Sequence, residues 1–237
     1  SWFSDFSLSH NREKIKELAS GQLKDEANAW FVGEPFKVFY DYKKEGIWQL
    51  GEEAAAAANG QEPGDIKVQD VDGNGVITTD DRIIYSQRPD VTFGFNNTFN
   101  YKGFDLSVFL YARLGQWIAY DYNTTYRINA LENGGNVDYW TPENPTNAFP
   151  RPNKSKSYTQ VTYYSTLKYE DGSFFKIRDI TLGYTFKPEL LKHLNLSRLR
   201  VYATAKNFFT FSKIDNYDPE QGGSISFCLL YTSPSPR

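Results

Sequence analysis

No methionine occurs in these 237 residues, cysteine occurs once, and no apolar run approaches the length of a membrane helix. Each absence excludes something. Without methionine the chain cannot begin at its own translation start, and no signal peptide precedes Ser1, so an internal segment of a longer protein is expected. The lone Cys228 can form no disulfide within the chain. A helical bundle in lipid needs stretches of ~20 apolar residues, and the mean hydropathy of −0.59 excludes one. A membrane β-barrel survives that test, because only alternate residues of its strands face lipid. Charge of one sign is also lacking: 26 basic against 29 acidic residues leave a net of −3, so nucleic acid is not an expected partner. Catalytic signatures are missing too. His10 and His193 stand in no metal or nucleophile motif, there is no G-x-S-x-G, HExxH or glycine-rich phosphate loop, and spacing singles out no carboxylate pair as a glycosidase acid and base. The expectation is a protein that is not an enzyme.

What is present is alternation. With 40% hydrophobic and 17% aromatic residues the chain can bury a core. In "VTFGFNNTFNYKGFDLSVFLYAR", Val91, Phe93, Phe95, Phe99 and Tyr101 alternate with small or polar Thr92, Gly94, Asn96, Thr98 and Asn100, Asn97 being the exception. Lys102-Gly103 reads as a two-residue turn. Phe104, Leu106, Val108 and Leu110 then continue the pattern, and across the turn Tyr101 faces Phe104, Phe99 faces Leu106 and Phe95 faces Leu110. "DITLGYTF" and "LRVYATAKNFFTF" repeat the alternation, and "WFSDFSLSH" does so more weakly. The connections alternate between short (Lys102-Gly103, 187–197) and long (11–90, 115–172), as outer-membrane barrels require. A soluble β-sandwich would also alternate, with its apolar face turned inward. Within the long connections, "EEAAAAANG" predicts a short helix stopped by Asn59-Gly60, "KVFYDYKKEGIW" an extra hairpin, and "YWTPENPTNAFPRPN" an ordered loop. Trp2, Trp30, Trp48, Trp117 and Trp140 are either sugar-stacking platforms or, the favoured reading, interface girdle and loop core.

One stretch points to a ligand. In "DVDGNGVITTDD", Asp70, Asp72 and Asn74 take positions 1, 3 and 5 of the twelve-residue calcium pattern, and Gly75 takes the sharp-turn position. Val76 would give its carbonyl, Thr78 would hold a water, and Asp81 falls at position 12. The pattern departs from an EF-hand in having Asp where the longer Glu is usual and in lacking flanking helices. A metal-free Asp/Asn/Gly turn is the alternative. Calcium, if bound, is expected to be structural.

In order along the chain, "PGDIKVQDVDGNGVITTDDR", "PDVTFGFNNTFNYKGFDLSVFLYA", "YWTPENP", "DGSFFKIRDITLGYTF" and "LRVYATAKNFFTFSKIDNYDPE" resemble the C-terminal part of the SusC/RagA family of TonB-linked outer-membrane transporters. The resemblance runs from Trp2 to Glu220. It implies an all-β fold: a partial transmembrane antiparallel β-barrel, the C-terminal strands of a 22-stranded barrel with long extracellular loops. It further implies a plug domain engaged by the TonB complex, a SusD-like surface lipoprotein that captures oligosaccharides or peptides, contact with outer-membrane lipid, and location in the outer membrane of a Gram-negative bacterium. Residues 1–227 are then expected to be barrel, and "CLLYTSPSPR", 228–237, a non-native tail. The alternative from another class is a secreted, calcium-stabilised β-sandwich glycan-binding module; a third is a calcium-dependent glycosidase.

Overall fold

The computed structural model describes residues 1–19, 21–126, 128–129, 136–191, 196–214, 217–221 and 224–225. The proposed tail at 228–237 and His193 lie outside the described residues. In chain order the strands and helices are β1 (Trp2–Ser9), β2 (Lys24–Asp25), β3 (Trp30–Phe31), β4 (Val38–Tyr42), β5 (Lys44–Ile47), α1 (Glu53–Ala58), β6 (Ile66–Val68) and β7 (Arg82–Ser86). They continue with β8 (Val91–Tyr101), β9 (Phe104–Leu114), β10 (Trp117–Tyr120), β11 (Tyr169–Asp171), β12 (Phe174–Thr185), α2 (Pro188–Leu191), β13 (Arg200–Ser212) and β14 (Ser224–Ile225).

Five of these strands form one antiparallel sheet in the order β1-β8-β9-β12-β13. The β8–β9 turn has positive φ at both central residues, Lys102 (48°) and Gly103 (90°), which matches the right-handed twist of a tight hairpin. Its register pairs Tyr101 with Phe104, Phe99 with Leu106 and Phe95 with Leu110, as the alternation requires. On the β1 side Phe6 pairs Phe95 and Leu8 pairs Phe93. On the other side Ile180 pairs Val108 and Ala205, and Leu182 pairs Leu106 and Ala203. All these side chains therefore share one face.

That face is open. Phe6, Leu8, Phe99, Leu182, Phe209 and Phe211 are each between 42% and 63% exposed, and among the described residues no second sheet covers them. A β-sandwich buries such a face, so that alternative fails; a barrel turns it to lipid. Aromatic rings sit on it in two bands. At the short-turn end Trp2 stacks on Phe99 at 5.8 Å, and Phe104 meets Tyr184 at 4.6 Å. Nearer the long connections Phe6, Phe93, Phe175 and Phe211 run across the strands at 6.0–6.4 Å between successive ring centroids. Six residues separate Phe99 from Phe93, or about 20 Å along a strand, a spacing suited to paired interface girdles. Asn97, the polar exception, accepts hydrogen bonds from Ser4 Oγ (2.7 Å) and Trp2 Nε1 (3.3 Å), so its carbonyl oxygen is satisfied beside the apolar surface.

The long connections fold at the opposite end from Lys102-Gly103 and build their own core. Ile47, Ile66, Val68, Trp140, Tyr164 and Leu167 are buried together, joining residues from both long segments. The alanine-rich segment is helix α1, with Gly60 at φ 65° just past its end. The expected hairpin within "KVFYDYKKEGIW" does not form: β4 pairs with β7 and β5 with β6, so the two halves go to different partners. Both halves gain apolar neighbours that way, with Val38 and Ile47 buried.

Candidate functional site

The acidic loop lies between β6 and a 3-10 turn, Thr79–Asp81, that leads into β7. Positive φ at Gly73 (73°) and Gly75 (84°) turns the backbone inward, and both of their N–H groups donate to Asp70 at 2.7 Å. Asp72 accepts from the Asn74 backbone N–H (3.0 Å) and side-chain amide (2.8 Å), while Asn74 Oδ1 accepts from the Val76 N–H (2.8 Å). Asp81, completely buried, closes the ring by accepting from Val71 N–H and Thr78 N–H, each at 2.7 Å. Carboxylate oxygens of Asp70, Asp72 and Asp81 come within 4.8 Å of one another. Three of the expected ligand side chains are thus brought together. Asn74 and Thr78 serve the loop's own hydrogen bonds, and Val76 projects an exposed side chain.

Thr78 and Asp81 also form a capping box on the 3-10 turn, which gives these two residues a metal-free role. The Thr78 N–H holds the Asp81 carboxyl below the usual carboxylate range against the opposing effect of burial, with the Val71 and Asp72 N–H groups adding to it. An ionised carboxylate offers about four acceptor directions; Asp70 and Asp72 each accept two bonds within the loop and keep room for a hard cation, whereas Asp81 is nearly filled by its backbone and Thr78 hydroxyl donors. The donor set fits calcium in kind: oxygen only, with three negative charges. A contributor invisible in the spacing is Asn59, at the end of α1, whose Oδ1 accepts from Ile77 N–H at 2.9 Å and ties the helix to the loop.

The second candidate surface is the polar face of the sheet. Asn96, Thr98, Asp105, Thr181 and Thr204 lie on it, and Thr181 and Thr204 share a 2.9 Å hydrogen bond between β12 and β13. Inside β12, between Ile177 and Asp179, a bulge at Arg178 shifts the register against both neighbours. Phe175 and Ile177 before it, and Ile180 and Leu182 after it, reach the apolar face, although their sequence parity differs. Lys176, Arg178 and Asp179 are thereby gathered on the polar face. Alternation alone shows only the second half of this strand, from Asp179. On β13 the matching irregularity has Asn207 at φ 51°.

Of the tryptophans, Trp48 is buried beneath Lys67 (4.6 Å to the ring), Trp117 packs edge-on to Tyr85, and Trp140 is buried with its indole N–H on Gln49 Oε1 (2.8 Å). Trp2 lies in the short-turn band. Girdle and loop core account for these four, and Trp30 stacks on the exposed Phe36 at 5.7 Å. His10 donates its Nδ1–H to the Asp90 carbonyl, 2.6 Å away, with no metal ligand grouping around it among the described residues.

No protein-family model matches the chain. It is 32% identical to TonB-dependent receptor P3 of Formosa agariphila over 92% of its own length and 23% of that protein. It is 28% identical to TonB-dependent receptor SusC of Bacteroides thetaiotaomicron, over 100% of its own length and 23% of that protein. The fold resembles the RagAB peptide transporter, with TM-score 0.65 and 22% identity over 94% of this chain and 25% of that one. In the "open-open" state of the RagAB peptide importer the TM-score is 0.66 at 24% identity. The chain thus spans about a quarter of the curated relatives it matches.

Proposed function

Because this chain belongs to the SusC/RagA family of TonB-dependent receptors, we propose that it forms part of the barrel wall and outer mouth of an active nutrient importer in the outer membrane of a Gram-negative bacterium. The observation that carries this is the two-faced five-stranded sheet, apolar and open on one side, polar on the other, with its long connections folded at one end. In this reading Phe93, Phe95 and Phe99 meet lipid, whereas Asn96, Thr98 and Asp105 line the lumen. The cargo is an oligosaccharide or peptide handed over by a SusD-like surface lipoprotein, and the work comes from the TonB complex acting on a plug domain that other parts of the protein supply. Transport, not catalysis, is the activity. The test is deletion of the complete gene in its host. Loss of growth on one complex glycan or peptide mixture, restored by the gene, supports import, while unimpaired growth on all of them, with the protein abundant in the outer membrane, would falsify it.

We further propose that Asp70, Asp72 and Asp81 hold a structural calcium ion, with Asn74, the Val76 carbonyl and Thr78 completing the loop. The support is the convergence of three carboxylates on a backbone turned inward by two glycines. Calcium would add a divalent charge that offsets their mutual repulsion and stiffens the extracellular loop. Extracellular modules bind calcium at about 10⁻⁴–10⁻³ M. Titration of the purified full-length transporter should give heat in this range that is absent in Asp70→Asn; equal heats for both proteins would remove the loop from consideration.

A further inference from the structure

Lys176 is the one fully buried cation among the described residues, and what buries it comes from beyond the end of β13. Its ammonium group donates to both carboxylate oxygens of Asp218 (2.9 and 2.8 Å) and to Glu220 (2.8 Å), and its side chain is 0% exposed. Beyond β13, residues 217–221 lie over the polar face, where Glu220 also pairs with Arg178 at 3.1 Å and its carbonyl accepts from Arg113 Nη1 at 3.0 Å. Pro219 is fully buried, and its carbonyl accepts from Gln116 Nε2 at 3.2 Å. Ile214, ahead of this segment, and Tyr217 at its start pack against Ile118 and Tyr120 of β10.

The bulge explains why this seat exists. A regular strand would alternate Lys176 in, Ile177 out, Arg178 in and Asp179 out, so the extra residue is what puts Arg178 and Asp179 side by side on the polar face. Arg113 from β9 completes a group of three cations there, and Asp218 and Glu220 are the carboxylates that meet them. A cleft of about 450 Å³ remains beside the contact, lined by Phe109, Arg178, Asp179, Lys206 and Asn207 together with the docked segment. A lysine drawn wholly out of water requires such partners, because an unpaired buried ammonium is strongly destabilising.

We propose that the segment Tyr217–Gln221 is an ionic strap that narrows the outer mouth of the barrel lumen, and that Lys176 is the positioning residue that holds it on the inner wall. The strap sets the width of the path over Phe109 and Asp179. This rests on the barrel reading above, since only in a closed barrel is the polar face a lumen.

The experiment uses the complete transporter in cells, with its own cysteines replaced by serine and Phe109→Cys introduced. Its labelling from outside is followed with a small impermeant maleimide and with a maleimide on a polyethylene glycol chain. With Lys176 present the small reagent is expected to react and the bulky one to be excluded. Lys176→Ala should raise the bulky reagent's rate by about tenfold or more, the factor carried by ~1.4 kcal/mol of lost docking, and Lys176→Arg should restore exclusion. A merely structural lysine would change the amount of folded protein without changing this size ratio. If Lys176→Ala does not reach the membrane, Asp218→Asn with Glu220→Gln, which leaves the wall strand intact, gives the same reading. An inserted, heat-modifiable barrel whose size ratio is the same with and without these changes overturns the strap. Failure of the complete transporter without these changes to insert overturns the barrel reading instead.

Discussion

Arg200 reaches from β13 across β12 to the Asp105 carboxylate on β9, with Nε at 3.1 Å from Oδ1, and the strand it crosses carries Gly183 at the crossing. A Cβ there would lie 2.6 Å from both Asp105 oxygens and 2.7 Å from Arg200 Nη2. The glycine is required by this close approach and not by its own backbone angle. Gly183→Val is expected to break the bracket and to destabilise the complete barrel by about 1–3 kcal/mol, the usual range for overpacking. Adding Arg200→Ala should recover part of the loss, measured as the heat-modification midpoint in detergent; an equal loss in both backgrounds would show that the bracket is not what the valine disturbs. In the loop core, burial pushes the Glu170 carboxyl up, against the favourable pull of Lys44 and a 3.0 Å hydrogen bond from Asn123. A carboxyl whose folded pKa is raised binds more protons folded than unfolded between the two values, so stability there falls as pH rises. Local unfolding of the loop region, followed by hydrogen exchange, should ease from pH 5 to 7 and lose part of that slope in Glu170→Gln.

At the scale of elements, the bulge in β12 decides more than any one contact. Without it, the same residue count would send either Phe175 and Ile177 or Ile180 and Leu182 to the lumen side, because a one-residue slip inverts a strand's faces. Deleting Arg178 instead leaves Phe175, Ile177, Ile180 and Leu182 at every second position on one face, so the complete barrel is expected to keep its heat-modifiable migration in the deletion as in Arg178→Ala. Loss of assembly in the deletion alone would mean that the two apolar sets do not share a face. The same bulge marks the limit of what the sequence reveals. The β8–β9 hairpin is legible because eleven residues alternate without interruption on each side of a two-residue turn, so register and facing follow together. In "FFKIRDITLGYT" the parity changes midway, and only the half after the bulge reads as a strand. The pairing of β4 with β7 is also illegible, since Tyr40 meets Ile84 through a partner 44 residues away and nothing local distinguishes that from a hairpin. In the acidic loop the spacing correctly brings Asp70, Asp72 and Asp81 together, but it cannot reveal that Thr78 and Asp81 also cap a turn or that Asn59 holds Ile77.

Over the whole molecule, the five-stranded sheet has two edges, β1 and β13, whose outward backbone groups find no strand partner among the described residues. Hydrocarbon offers such groups no hydrogen bonds, so the sheet can persist in a bilayer only if neighbouring strands close it. The segment expressed alone should therefore fail to insert into liposomes and should aggregate without detergent. A soluble, monomeric product that unfolds cooperatively would contradict the barrel. In the complete transporter the two faces make a sharper statement. Spin labels placed singly at positions 93, 95 and 99 should collide freely with oxygen, which partitions into lipid, while labels at 92, 96 and 98 should respond to a water-soluble nickel relaxer or stay shielded by whatever fills the lumen. On β13 the outward phase includes both Ala205 and Phe209, which pair with Ile180 and Ile177 on either side of the bulge. Oxygen accessibility should accordingly be high at 203, 205, 209 and 211 and low at 204, 206 and 210, with 207 and 208 breaking the period. Unbroken alternation along β13 would refute the placement of the bulge, and equal oxygen accessibility on odd and even positions of β8 would refute the lipid face itself.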